Sequence, residues 1–157
     1  METIPITTKG FEKLKAELEK LKTIDRKEIV EAIQEARSHG DLSENAEYDA
    51  AKERQGLIEA RITELESKIP RFEVINTTAL SGEKVIFGAT VELKNSDSEE
   101  KRTYTIVGPD EADISTGKVS ILSPLARAVL GKKAGNDVVV KAPSGNIEYE
   151  IVKVTFK

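Results

Sequence analysis

The 157-residue chain carries 24 Lys and Arg against 28 Asp and Glu, a net charge of −4, and a third of it is charged. It has no cysteine, one histidine and no tryptophan, which excludes disulfide stapling, thiolate metal sites, cysteine nucleophiles, a histidine triad and multi-histidine metal centres. Apolar runs stop at three residues, as at Val138–Val140, so no membrane span is expected. Met1-Glu2-Thr3 opens without a basic or apolar leader, so no secretory signal is expected, and the lack of cysteine suits a reducing cytoplasm.

Charge and composition divide the chain. Residues 1–75 hold 13 basic and 17 acidic side chains, whereas residues 76–157 hold 11 of each. Seven of the ten glycines and most of the Val, Ile and Thr fall in the second part. The expectation is an α+β protein of two units, a helical hairpin over 1–75 and a small antiparallel sheet domain with one short helix over 76–157.

The hairpin is read from its seams. Thr7-Thr8-Lys9-Gly10-Phe11 offers a hydroxyl as helix N-cap. Phe11, Leu14, Leu18 and Leu21 then follow at heptad spacing. Steps of four through Leu21, Asp25, Ile29 and Ile33 slip the heptad phase, which predicts local unwinding of the supercoil. Ser38-His39-Gly40 reads as the helix end, with Gly40 at the left-handed C′ position. A second seam runs through Tyr48, Ala51, Gln55, Ile58, Ile62, Leu65 and Ile69, and Pro70 stops it. Two helices of roughly 30 residues joined by a short polar segment make an antiparallel rod of roughly 45 Å. Leu18, Leu21, Ile58 and Ile62 are expected in its interior, and small Ala36 and Ala51 allow close approach near its tip.

Beyond residue 80, the strand candidates are Val85–Lys94, Thr103–Val107, Val119–Leu122, Asp137–Lys141 and Ile147–Phe156. Asn95–Arg102 reads as a polar hairpin loop and Pro143-Ser144-Gly145-Asn146 as a tight turn. The inward face of the last strand changes phase between Ile151 and Val152, which predicts a bulge. Ser123 to Gly131 reads as a short helix with Ser123 as N-cap, Pro124 at N1 and Gly131 at C′.

Chemistry concentrates at the hairpin turn, Gly40-Asp41-Leu42-Ser43-Glu44-Asn45-Ala46-Glu47-Tyr48. Asp41 and Glu44, three apart, fit a capping box at the start of the second helix. They equally fit a pair of oxygen ligands for Mg²⁺, a metal that two carboxylates hold weakly unless further ligands surround it. Such a tip makes chemical sense inside a partner's active site, and a cap can also fix a carboxylate rotamer. His39 reads as a C-terminal helix residue favoured by the dipole rather than as a metal ligand. Ser43 reads as a helix-start hydroxyl and Tyr48 as a packing residue of the seam.

Four segments, Glu35–Tyr48, Val85–Val91, Ile106–Asp113 and Ser123–Arg127, occur in an order that resembles the Gre family of bacterial transcript cleavage factors, and the resemblance covers essentially the whole chain. It implies a coiled-coil hairpin followed by an FKBP-like domain. It further implies that the hairpin enters the secondary channel of a backtracked bacterial RNA polymerase. There Asp41 and Glu44 would help hold the second catalytic Mg²⁺ and its attacking water, so that the polymerase hydrolyses its transcript near the 3′ end. The chain would then be an accessory factor and not an enzyme by itself, sharing Mg²⁺ with the polymerase and holding none tightly alone. Arg37 and Lys52 correspond to the family's basic patch toward the transcript; Lys52, often arginine in the family, keeps the charge without the planar fork. Ser123, Pro124 and Leu125 are the candidate polymerase contact, and a monomer is expected. Three rival functions stand beside this one: a polymerase-channel inhibitor, an FKBP-type prolyl isomerase or chaperone, and a plain oligomerisation coiled coil. The isomerase reading has few aromatics to draw on, only Phe87, Tyr104, Tyr149 and Phe156 in this half, at spacings that suggest sheet core.

Overall fold

A computed structural model of the chain describes residues 2–40 and 45–156. By compactness the chain forms two units, Phe11–Arg71 and a second made of Met1–Gly10 with Phe72–Lys157.

The outgoing helical segment comprises α1 (Thr8–Lys20), which enters the first unit at Phe11, a π-helical turn over Leu21–Asp25, and α2 (Arg26–Ser38). The returning helix α3 (Ala46–Lys68) packs against α2 and ends in a 3₁₀ turn at Ile69–Arg71, where Pro70 removes a backbone donor. The π turn is where the heptad phase slips. Leu14, Leu21, Ile29 and Ala36 are buried at spacings of seven, eight and seven. The additional residue between Leu21 and Ile29 is absorbed in one widened turn, closed by the Arg26 N–H donating to the Leu21 carbonyl. The helix thus accommodates the slip in its own backbone, where unwinding of the supercoil was expected. On α3, Ala51, Ile58, Ile62 and Leu65 are buried, and Tyr48, Gln55 and Ile69 are half-buried, so the second seam is fully engaged.

Cross-helix ion pairs flank this apolar stripe. Arg26 donates from Nε and Nη2 to the two carboxylate oxygens of Glu59, both at 2.8 Å. Arg61 forks onto Glu17 at 2.6 and 3.0 Å, and Lys22 reaches Glu66 at 3.4 Å. Half-exposed pairs contribute little stability each, but two bidentate forks admit one register between the helices.

The second unit is built on a five-stranded sheet in the order β5-β4-β3-β7-β6. Its strands are β3 (Ala89–Asn95), β4 (Lys101–Val107), β5 (Lys118–Ser120), β6 (Asp137–Ala142) and β7 (Gly145–Phe156). Val91, Leu93, Ile106, Val119, Val138 and Ile151 form its core with Ala126 and Val129 of the short helix α4 (Pro124–Val129). Pairing of β3 with β7 moves from Glu92↔Lys153 to Leu93↔Ile151, which leaves Val152 as the bulge expected there.

Two features differ from the sequence expectation. The sheet is mixed, because β5 pairs with β4 in parallel. Residues 108–117 carry the chain back alongside β4, and the Thr105 N–H donates to the Gly117 carbonyl at 2.7 Å. In addition, β1 (Ile4–Thr7) and β2 (Phe72–Ile75) form a separate parallel pair that periodicity did not announce, since each has only four residues. Through that pair the first ten residues belong with the sheet unit.

The carboxyl groups of Glu17, Glu59 and Glu64 are held below the ordinary value of 4.5 by hydrogen bonds from Arg61, Arg26 and Lys68 respectively. Lowered folded-state values mean that the pairs stabilise the hairpin above the unfolded glutamate value and lose that contribution as acid protonates them. Thermal unfolding followed by circular dichroism should therefore show a flat stability above about pH 5 and a decline below 4.5. Arg26→Met with Arg61→Met should make that acid decline shallower; an equally steep decline would place its origin outside these pairs.

Candidate functional site

The end of the hairpin is built from the last turn of α2 and the first turns of α3. Arg37 lies in the last turn of α2, exposed, and pairs with no acid among the described residues. His39 is the C-cap of α2; its N–H donates to the Ala36 carbonyl, and Nδ1 lies 3.0 Å from Glu47 Oε2 on the first turn of α3. Its partner is thus a carboxylate across the turn. Gly40 follows with φ of 121°, a conformation that excludes ordinary side chains, in agreement with its expected C′ role. Asp41, Ser43 and Glu44 lie outside the described residues.

Helix α3 begins at Ala46, and Asn45 is its N-cap, with Oδ1 accepting the Tyr48 N–H at 3.1 Å. The capping box expected of Asp41 and Glu44 lies outside the described residues. Asn45 also donates from Nδ2 to the carbonyl of Ala36, the same oxygen that receives the His39 N–H. One side chain thus caps α3 and fastens it to the last turn of α2. Sequence reasoning passed over Asn45; the available signal was its type, since Asn is among the best N-cap residues.

Lys52 is exposed in the second turn of α3, and its Nζ donates to Gln55 at 3.0 Å. Among the described residues, neither Arg37 nor Lys52 forms an ion pair with a glutamate. Among the described residues, no three His, Asp or Glu side chains gather into a metal site.

In the sheet unit, Ser123 caps α4, its Oγ accepting the Ala126 N–H at 3.2 Å. Pro124 is exposed at N1, while Leu125 is half-buried against the core. The loop therefore presents Pro124 outward on a turn anchored from both sides. Tyr104, Tyr149 and Phe156 pack against the same core, in line with the sheet role read from their spacing. No helix among the described residues is long and apolar enough to cross a membrane.

Residues 4–74 match the family model for the transcription elongation factor N-terminal domain, and residues 80–156 match that for the GreA/GreB C-terminal domain. The chain is 56% identical to transcription elongation factor GreA of Nitratidesulfovibrio vulgaris over all of its own length and 98% of that protein. It is 54% identical to GreA of Hyphomonas neptunium over the full length of both. Among solved structures, GreA factor homolog 1 of Thermus thermophilus is 30% identical, with 99% of each chain covered and a TM-score of 0.43.

Replacing Asn45 separates its two bonds. Asn45→Ala removes cap and clasp together and should cost about 1 kcal/mol of thermal stability. Asn45→Ser keeps a capping oxygen and should recover most of that loss. Equal melting of parent and Asn45→Ala would remove the side chain from the stability of the turn.

Proposed function

The chain belongs to the GreA/GreB family of transcription elongation factors, and from that premise we propose that it acts inside a backtracked bacterial RNA polymerase. The hairpin enters the secondary channel and stimulates the polymerase's own cleavage of the transcript near its 3′ end, so that arrested complexes resume elongation. The observation that carries this reading is the chain position of Asp41 and Glu44, between Gly40 after the end of α2 and Asn45 at the cap of α3. The cap of α3 is supplied by Asn45, so the acids are not required for that task.

Two carboxylates are hard oxygen donors of the kind Mg²⁺ takes, and too few to complete its octahedron, which suits an ion shared with the polymerase. Asp41 and Glu44 would hold that ion. When bound, Mg²⁺ supplies a more acidic water and neutralises charge on the phosphodiester. The carboxylates of this chain position the attacking water and accept its hydrogen bond; the water oxygen forms the new P–O bond as the bond to the 3′ oxygen breaks. The polymerase performs the hydrolysis, and this chain is its accessory factor. Arg37 and Lys52 hold phosphate or base of the extruded transcript, while Ser123, Pro124 and Leu125 dock the sheet unit on the polymerase. The factor works as a monomer in the cytoplasm.

Asp41→Asn and Glu44→Gln keep shape while losing the charge that holds the cation. Each should abolish stimulated cleavage of backtracked complexes while leaving polymerase binding nearly intact; undiminished cleavage at matched Mg²⁺ would sink the assignment. Arg37→Ala with Lys52→Ala should raise the concentration needed for half-maximal cleavage and reduce its salt dependence, because phosphate contacts weaken with salt. An unchanged concentration and salt profile would take both residues out of the site.

A further inference from the structure

The motif Ile106–Asp113 has no part in the activity described above, yet it contains a carboxylate that accepts three hydrogen bonds. Glu111, in the return segment 108–117, accepts the Thr7 N–H at Oε1 at 2.8 Å and the Thr7 hydroxyl at Oε2 at 2.5 Å. It also takes the N–H of Gly108 at 3.0 Å. The Thr7 hydroxyl in turn accepts the Gly10 N–H at 3.1 Å.

Thr7 precedes α1 and stands at its N-cap, with Gly10 at N3. In an ordinary capping box the N3 residue is Glu or Gln, and its side chain reaches back to the N-cap N–H. Here N3 has no side chain, and the carboxylate that receives that N–H comes from 104 residues away. The substitution of partner is built in sterically: a Cβ on Gly10 would overlap the Glu111 carboxylate, and a Cβ on Gly108 would overlap the Pro5 carbonyl. Gly10 adopts no unusual backbone angle that would require glycine, so its reason is the space that Glu111 fills.

We propose that Glu111 is a positioning residue: it completes the capping box of α1 in trans, and stimulated cleavage requires the attachment of that helix start to the 108–117 segment. This rests on the function proposed above, in which the docking residues and the tip acids belong to different units. The chain passes between the units at Gly10–Phe11 and Arg71–Phe72, and Glu111 fastens the residues on the sheet side of the first passage. A neutral cap would serve the helix alone; two charge-assisted bonds from a distant segment also hold it in place.

The test separates capping from attachment. Glu111→Ala should leave the concentration for half-maximal cleavage unchanged, because the docking loop is untouched, and lower the plateau rate about tenfold, as misplaced reacting groups do. Adding Gly10→Glu to Glu111→Ala restores a capping box within α1 without the attachment. That double variant should regain the melting temperature of the parent and keep the low plateau. Recovery of the plateau together with the melting temperature would overturn the proposal, since capping alone would then suffice. A Glu111→Ala protein that cleaves like the parent would overturn it equally. Should Glu111→Ala fail to fold, Glu111→Asp decides: it keeps the charge and withdraws the carboxylate from Thr7 by one methylene, and a parental plateau there would also overturn the proposal. Asp41→Asn run in parallel guards the premise: if it cleaves normally, the function itself is misassigned, whatever Glu111 does.

Discussion

A hairpin of two helices has only one apolar stripe to bury, and every feature of the first unit answers to that constraint. Each helix must keep its stripe turned toward the other along its whole length. An α-helix drifts relative to a strict seven-residue repeat, and this chain has one residue more than the repeat allows between Leu21 and Ile29. The π turn at Leu21–Asp25 spends that residue and returns Ile29 and Ala36 to the seam. Without it, the half of the outgoing helix that leads to the hairpin turn would rotate its apolar side toward water.

The stripe is narrow, so it leaves register loosely specified; sliding one helix by a turn would still match apolar to apolar. The polar flanks remove that freedom. Glu17–Arg61 and Arg26–Glu59 are forked pairs whose planar geometry is met in one alignment. At the far end, Asn45 makes the same kind of choice with neutral atoms, joining the first turn of α3 to the carbonyl of Ala36. Register therefore decides which residues meet at the turn, where the proposed site lies.

The sheet unit solves a different problem. Its return segment 108–117 lays β5 parallel to β4 and at the same time delivers Glu111 to the start of α1. Gly10 and Gly108 clear the space for that approach. A loop that resembles a simple connection in sequence thus completes a sheet edge and caps a helix.

The sequence by itself determined whatever is periodic or local. Both seams, the stop at Pro70, the end of α2 at Ser38, the caps of α4 and the bulge at Val152 could all be read from spacing and residue type. These depend on neighbours within a few positions, and the physics of a turn or a pleat is the same wherever it occurs. Tertiary structure decided the rest. Strands β1 and β2 are too short to show a period and exist because they pair with each other. The parallel edge at β5 follows from a return path that no local signal encodes. The N-cap of α3 is Asn45, whose side chain also meets the Ala36 carbonyl on the other helix, a contact that no local signal announces. Gly10 looks like a weak helix starter until Glu111 is brought beside it. Contacts between residues so distant in the chain leave no spacing to read, because their geometry exists only once the unit that holds them has folded.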